Sequence, residues 1–220
     1  MPKCGCEAAA QNMAVAEVRA NRTASKEARR QQLIQATIKC ISKRGIGGTT
    51  MGEVASEAGL SQGIVNLHFK SKDNLLNETL RWVAEEYKSQ FEKTLEKSGP
   101  GPEDKLLALM ELDLRPSVCD RHKLAVWFAF WGEAKAVPTY QRMCDAYDRE
   151  YDEVIGRLCE QIIKDGAYLA IDARTVTEAL SSMTDGLWLS CLISPKSWDR
   201  QIARDAIHGY LRAVFPKHFE

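Results

Sequence analysis

No apolar run in this chain is long enough to cross a bilayer. The longest, Leu124 to Trp131, falls far short of the roughly 20 residues a membrane helix needs, so no membrane partner is expected. A basic start followed by an apolar stretch is also missing, which gives no sign of a secretory leader and makes the cytoplasm the expected compartment. The seven cysteines, at 4, 6, 40, 119, 144, 159 and 191, are odd in number and never stand in C-x-x-C spacing. That argues against a disulfide framework or a zinc site and leaves reduced, mostly structural thiols. Catalytic signatures are missing too: there is no G-x-S-x-G, H-E-x-x-H, P-loop or dinucleotide glycine pattern. The four histidines, His68, His122, His208 and His218, are scattered. The expectation is a chain that is not an enzyme and that uses no metal and no cofactor.

Net charge is lacking as well, with 30 Lys and Arg against 30 Asp and Glu, but the balance conceals a split. Residues 1–75 carry 11 basic and 6 acidic side chains, and residues 76–220 carry 19 and 24. A basic head on an acidic body fits a polyanion-binding module joined to a part with another task. At 220 residues the chain has length for one or two domains and for a core without staples.

The fold class is read as all-α, with about nine helices. Few β-branched residues cluster or alternate, and the breaks are sharp: Gly45-Ile46-Gly47-Gly48, Ser98-Gly99-Pro100-Gly101-Pro102, Pro116, Pro138, Asp165-Gly166, Ser194-Pro195 and Pro216. The first helix is placed from Ser25 to Arg44, because Ile34, Ile38 and Ile41 share a face at the 3.6 period. Thr50-Met51-Gly52-Glu53 has the form of a capping box opening a short second helix. Ser61 is a suitable N-cap for a third, Gln62 to Phe69, and Ser71 for a long fourth running to Lys97. Later helices are expected over 102–114, 120–136, 139–164, 172–193 and 198–215. Residues 1–24 show no clean stripe and are expected to form a disordered tail; a basic minor-groove arm with Arg19, Arg22 and Lys26, or a later start at Met13, are the other readings. The expected domains are residues 25–72 and 73–220.

Two short helices around a glycine turn, braced by a longer one, make a helix-turn-helix unit. Ala55 is small where the helices cross, Gly59 allows the positive φ of the turn, and Leu60 and Val65 fill the small core. The outer face of the third helix presents Gln62, Gly63, Asn66, Leu67 and His68, with Ile64 beside them. Such a helix fits the major groove of double-stranded DNA, where amides and small apolar groups read base edges. Thr50, Ser61 and Lys72 lie at helix starts, where hydroxyls, amides and the dipole favour phosphate. An ordinary helical corner with a polar surface is the competing reading of the same pattern.

Residues 29–82 resemble the DNA-binding domain of TetR-family transcriptional regulators. The likeness is carried by Thr49-Thr50-Met51-Gly52-Glu53-Val54-Ala55-Ser56-Glu57-Ala58-Gly59-Leu60-Ser61, then Gly63-Ile64-Val65, His68-Phe69-Lys70-Ser71-Lys72 and Leu75-Leu76. Asn66 and His68 stand where that family often has tyrosines. The resemblance implies a homodimer on a pseudo-palindromic operator, joined through the last two helices. The stripes Leu180, Thr184, Leu187, Cys191 and Ala203, Ile207, Tyr210, Val214 fit either that interface or an intramolecular core.

The acidic part holds an unusual density of rings. Trp127 and Trp131 are one helical turn apart, flanked by Phe128 and Phe130. Tyr140, Tyr147 and Tyr151 form a second stripe with Cys144, and Asp185-Gly186-Leu187-Trp188 adds a carboxylate and an indole. Aromatic faces attract cations, and a quaternary ammonium, which donates no hydrogen bond, suits such a cage; rings at helical spacing also serve as plain core. Trp127-Phe128-Ala129-Phe130-Trp131 and Asp185-Gly186-Leu187-Trp188-Leu189 resemble motifs of the choline-responsive BetI-type repressors, a branch of the TetR family. This resemblance implies a repressor of the genes that turn choline into glycine betaine, with choline as inducer held by Trp127, Phe130, Trp131, Tyr147, Asp185 and Trp188. The alternative is a TetR-type repressor answering a lipophilic drug or an acyl-CoA.

Overall fold

The computed structural model describes the backbone of residues 5–219 and the side chains of residues 25–219. Among the described residues there are nine helices and no strand: α1 Gly5–Gly48, α2 Met51–Ala58, α3 Gln62–Phe69, α4 Lys72–Lys97, α5 Pro102–Asp113, α6 Arg121–Ala134, α7 Pro138–Gly166, α8 Ala173–Ile193 and α9 Arg200–Val214. The ends follow local chemistry. Ser71 accepts from the Asn74 amide, Asp120 from those of His122 and Lys123, Asp172 from that of Thr175, and Asp199 from that of Gln201. Proline opens α5 and α7, where its missing N–H is no loss. Gly45, at φ 69° and ψ 177°, interrupts α1 at the expected break.

The start of α1 differs from the sequence reading, which placed it at Ser25; its backbone reaches back to Gly5. The physical reason lies in composition: Ala8, Ala9, Ala10, Ala14, Ala16 and Ala20 favour helix, and no proline follows Pro2 to stop it. The side chains of the expected tail, and of Arg19 and Arg22, lie outside the described residues.

Leu33, Ile34, Ile38 and Ile41 of α1 are buried. They pack with Val54 and Ala55 of α2, Val65 and Phe69 of α3, and Leu75 and Leu76 of α4. The same helix lies along α6, so the N-terminal unit and the larger helical body share a continuous core. α4 belongs to both. It begins directly behind α3 and ends against α5 and α6.

The stripes on the last two helices prove to be mostly internal. Leu180, Thr184 and Cys191 of α8 and Ala203 and Ile207 of α9 are buried within the single chain, where α8 packs on α6 and α7, and α9 on α5 and α8. Their apolar area is covered by the chain itself. What remains outside is a different face: Ile193 is 67% and Ile202 69% exposed, with Leu189 at 41%. On α9, Ala206, Gly209 and Ala213 continue the exposed face of Ile202 at helical spacing.

Candidate functional site

The helix-turn-helix closes as its residues require. Thr50 Oγ1 accepts from the Glu53 amide at 3.1 Å. Glu53 does not complete the capping box; its carboxylate is paired with Arg44 at 3.0 Å, a stronger partner than a neutral amide. Gly59 sits at φ 65°, and the amides of Gly59 and Leu60 return to the carbonyls of Ser56 and Ala55. This paired ending needs a left-handed residue, which glycine supplies without steric cost.

Beyond the turn, α3 shows an open outer side. Ser61, Gln62, Gly63 and Asn66 are exposed, and Leu67 is 72% exposed. A large apolar side chain left this open on an eight-residue helix has no partner in its own chain. Thr50 is exposed at the adjoining start of α2. Ser61 has the extended backbone of a cap, but its hydroxyl makes no cap bond. The first-turn amides of α3 therefore lack a side-chain acceptor at the positive end of its dipole.

Three of the expected contact residues are placed differently. Ile64 is half-buried against the core, because α3 seats on α2 through that side. Lys72 Nζ donates to the Ile46 carbonyl at 2.9 Å and lies 3.4 Å from that of Gly47, so its charge closes the end of α1. His68 is half-buried, and burial, followed by the positive charges of Lys26, Arg29 and Arg30, holds its imidazole below the ordinary range. It is neutral at physiological pH, and its Nδ1 has no protein partner.

The second site lies between α4, α6, α7 and α8. A cavity of about 220 Å³ is lined by Tyr87, Trp127, Trp131, Tyr147, Tyr151 and Trp188, and its wall also carries Asp148, Asp152, Glu178 and Asp185. The rings form a continuous wall. Trp127 and Trp131 have centroids 6.2 Å apart, Trp127 meets Tyr147 at 6.3 Å and 82°, and Tyr87 meets Trp188 at 6.0 Å and 88°. Five of the six residues expected from the sequence come together here: Trp127, Trp131, Tyr147, Asp185 and Trp188. Phe130 does not. It is fully buried and packs edge-on against Tyr140 with centroids 4.6 Å apart, because it is turned about 60° from Trp127 and about 100° from Trp131 around α6, toward the interior.

The lining carries four carboxylates and neither Lys nor Arg. Burial, reinforced by Asp152 and Glu178, pushes the Asp185 carboxyl up to about 6. Burial, with Asp185, Asp152 and Asp145, does the same to Asp148. A cation in the cavity would relieve this repulsion while resting against ring faces. A second chamber of about 210 Å³ shares Tyr87, Trp127, Tyr147 and Tyr151 and adds Ala84, Phe91, Leu95 and Val154.

Sequence reading missed Tyr87, Asp148, Asp152 and Glu178. Tyr87 is a single ring on a mostly charged helix, and the carboxylates look like a solvated face. Only the four-residue spacing of Asp148 and Asp152 along α7, beside Tyr147 and Tyr151, hinted at a common side.

A family model described as "BetI-type transcriptional repressor, C-terminal" matches residues 102–216, and one described as "Bacterial regulatory proteins, tetR family" matches residues 33–79. An HTH-type transcriptional regulator BetI from Stenotrophomonas maltophilia (strain R551-3) is 31% identical over 83% of this chain and 91% of its own. The protein of the same name from Paraburkholderia xenovorans (strain LB400) is 30% identical over 86% and 94%. Among solved structures, a transcriptional regulator from Pseudomonas aeruginosa PAO1 matches with a TM-score of 0.76 at 25% identity, covering 88% of this chain and 95% of that one. A transcriptional regulator from Saccharomonospora viridis in complex with choline matches at 0.72 and 22% identity, covering 83% and 95%, a likeness of fold.

Proposed function

The chain belongs to the TetR family of bacterial regulatory proteins, with a C-terminal part of the BetI repressor type, and from that premise we propose that it is a repressor released from DNA by a quaternary ammonium effector, choline foremost. Its relatives are transcriptional regulators rather than enzymes. The observation that carries the ligand reading is the cavity between α4 and α8, six aromatic rings with four carboxylates and no basic side chain. A trimethylammonium group gains from ring faces and nearby negative charge together. The naming of BetI for the relatives and the choline bound in the S. viridis regulator support the same ligand class. An acyl-CoA fits poorly, since its phosphates would meet a wall of carboxylates. The second chamber, mostly apolar but also lined by Lys88, Glu92 and Glu150, favours one variation, an ammonium ligand that also carries an apolar tail.

In this reading residues 25–72 contact DNA, through Thr50, Ser61, Gln62, Gly63, Asn66 and Leu67, and residues 73–220 hold the effector and the second subunit. Ile193, Leu189 and Ile202 form the dimer face, and the small residues beside them let helices approach. The cage reaches the DNA unit by two rods. α4 runs from Lys72, behind α3, to Tyr87 in the cage, about 22 Å at helical rise. α6 carries Trp127 and Trp131, and its first turn touches α1 where His122 Nδ1 meets Ser42 Oγ at 2.9 Å. A shift of either rod would alter the separation of two recognition helices that must match half-sites about one DNA turn apart.

Calorimetric titration with choline and with its neutral carbon isostere, 3,3-dimethylbutan-1-ol, tests the ligand class. Choline is expected to bind at least about tenfold more tightly, the share that charge and ring faces contribute. Equal affinity, or no choline binding at millimolar concentration, would reject the cation reading.

A further inference from the structure

Beneath the cage lies a residue that no sequence signal marks. We propose that Asp113 is the positioning residue of the cage and that it gives up its proton when a cation is captured. This rests on the cation reading of the cavity. Asp113 ends α5 and is fully buried. Its Oδ1 accepts from the Tyr87 hydroxyl at 2.7 Å, and its Oδ2 accepts from the hydroxyls of Tyr151 at 3.0 Å and Thr184 at 3.4 Å. Its backbone carbonyl accepts from Trp188 Nε1 at 2.8 Å. One residue thus fixes the polar tips of three cage side chains whose ring faces line the cavity, and it ties α4, α7 and α8 to a single point.

The surroundings make this carboxyl responsive. From α4 it faces Tyr87, from α7 Tyr151, with Asp152 next along the chain, and from α8 Thr184 and Asp185. The Cys119 thiol, after α5, donates to its carbonyl at 3.1 Å. On α9, Arg200 is held by the Leu114 carbonyl at 2.7 Å, and Arg204 and His208 are paired with Glu111. Burial outweighs the three hydroxyls and pushes the Asp113 carboxyl up to about 7. A cation in the cage favours the ionised form. In the protonated form the carboxyl O–H donates to one of the neighbouring hydroxyls; on capture that O–H bond breaks, the proton passes to solvent, the hydroxyl turns to donate to the carboxylate, and the cation offsets the negative charge left behind. By linkage, raising the pH must tighten the cation, just as the cation expels the proton.

The test is choline titration of the full chain by calorimetry between pH 6 and pH 8, in buffers of different ionisation enthalpy so that released protons are counted. A carboxyl that titrates about 7 when empty and stays ionised when occupied makes binding about tenfold tighter at pH 8 than at pH 6. Asp148 and Asp185, at about 6, add about twofold each. In Asp113→Asn the pH effect is expected to fall to about fourfold or less, with affinity at pH 8 near that of the parent at pH 6. Tyr151→Phe keeps the ring and removes one hydroxyl, so the rise in affinity is expected at higher pH; this variant decides the matter if Asp113→Asn does not fold. The same profile in the parent and both variants, with choline still bound, would overturn the proposal and leave the cage reading standing. No choline binding at any pH would overturn both.

Discussion

Phe130 and Trp131 are neighbours in the chain with different work. Phe130 packs in the interior against Tyr140, whereas Trp131 forms part of the cage wall. Phe130→Ala is expected to cost about 3–5 kcal/mol of stability in urea denaturation and to leave the choline affinity of the folded protein within about twofold. Trp131→Ala should do the reverse, weakening choline about tenfold in titration through the lost ring face. If Phe130→Ala instead weakened choline like Trp131→Ala, the division between core and cage would fail. Which ring faces which side was only half legible in the sequence. Trp127 and Trp131 share a face by spacing, but the adjacent Phe130 could be assigned to either side until α7 supplied Tyr140. Asp113 was not legible at all, because its partners arrive from positions 26, 38 and 71 residues away in sequence.

Elements were easier to read than contacts, because their ends are set by chemistry within a few residues. Caps at Thr50, Ser71, Asp120, Asp172 and Asp199, and the break at Gly45, need only local geometry. Ser61 shows the limit: the backbone takes the cap conformation, yet the hydroxyl makes no cap bond. Lys72 shows another, since a lysine at a helix start reads as a phosphate contact until the end of α1 is brought beside it. Lys72→Met is expected to lower stability by about 1–3 kcal/mol, by leaving the Ile46 carbonyl without its charged donor. The salt dependence of DNA binding should stay unchanged. A fall of about one in the slope of log affinity against log salt would instead make Lys72 a phosphate contact. Gly59→Ala should cost about 1–2 kcal/mol in thermal or urea unfolding, because the left-handed turn at φ 65° penalises any Cβ while the space around it is empty.

At the scale of the whole molecule, charge buried in the cage couples stability to pH. Asp113 keeps its proton up to about 7 in the folded chain, whereas an unfolded aspartate releases it at about 4. Between these values the folded state binds more protons, so stability falls as pH rises and the loss is complete above the folded value. Denaturation at pH 5 and pH 8 should show this decline, on the order of 3 kcal/mol for the fully buried carboxyl acting alone, and Asp113→Asn should remove that share and leave the smaller one from Asp148 and Asp185. The second coupling is between subunits. Gly209→Arg, on the exposed small-residue face of α9, is expected to give monomers in light scattering and to abolish operator binding, since one recognition helix gains nothing from the matched half-site. A dimer that persists in this variant would move the interface elsewhere. Dimerisation itself was not readable from the apolar stripes, which serve the interior first.

The exposed side of α3 and the occupancy of the cage meet in one experiment: a mobility-shift titration of the full chain on the duplex upstream of its own gene, with choline added stepwise. The expected result is a discrete complex of two subunits per duplex that is lost as choline rises, with Trp131→Ala needing about tenfold more choline for the same loss. A complex that ignores choline at concentrations that saturate the cage, or a chain that leaves this duplex unshifted at low salt, would contradict it.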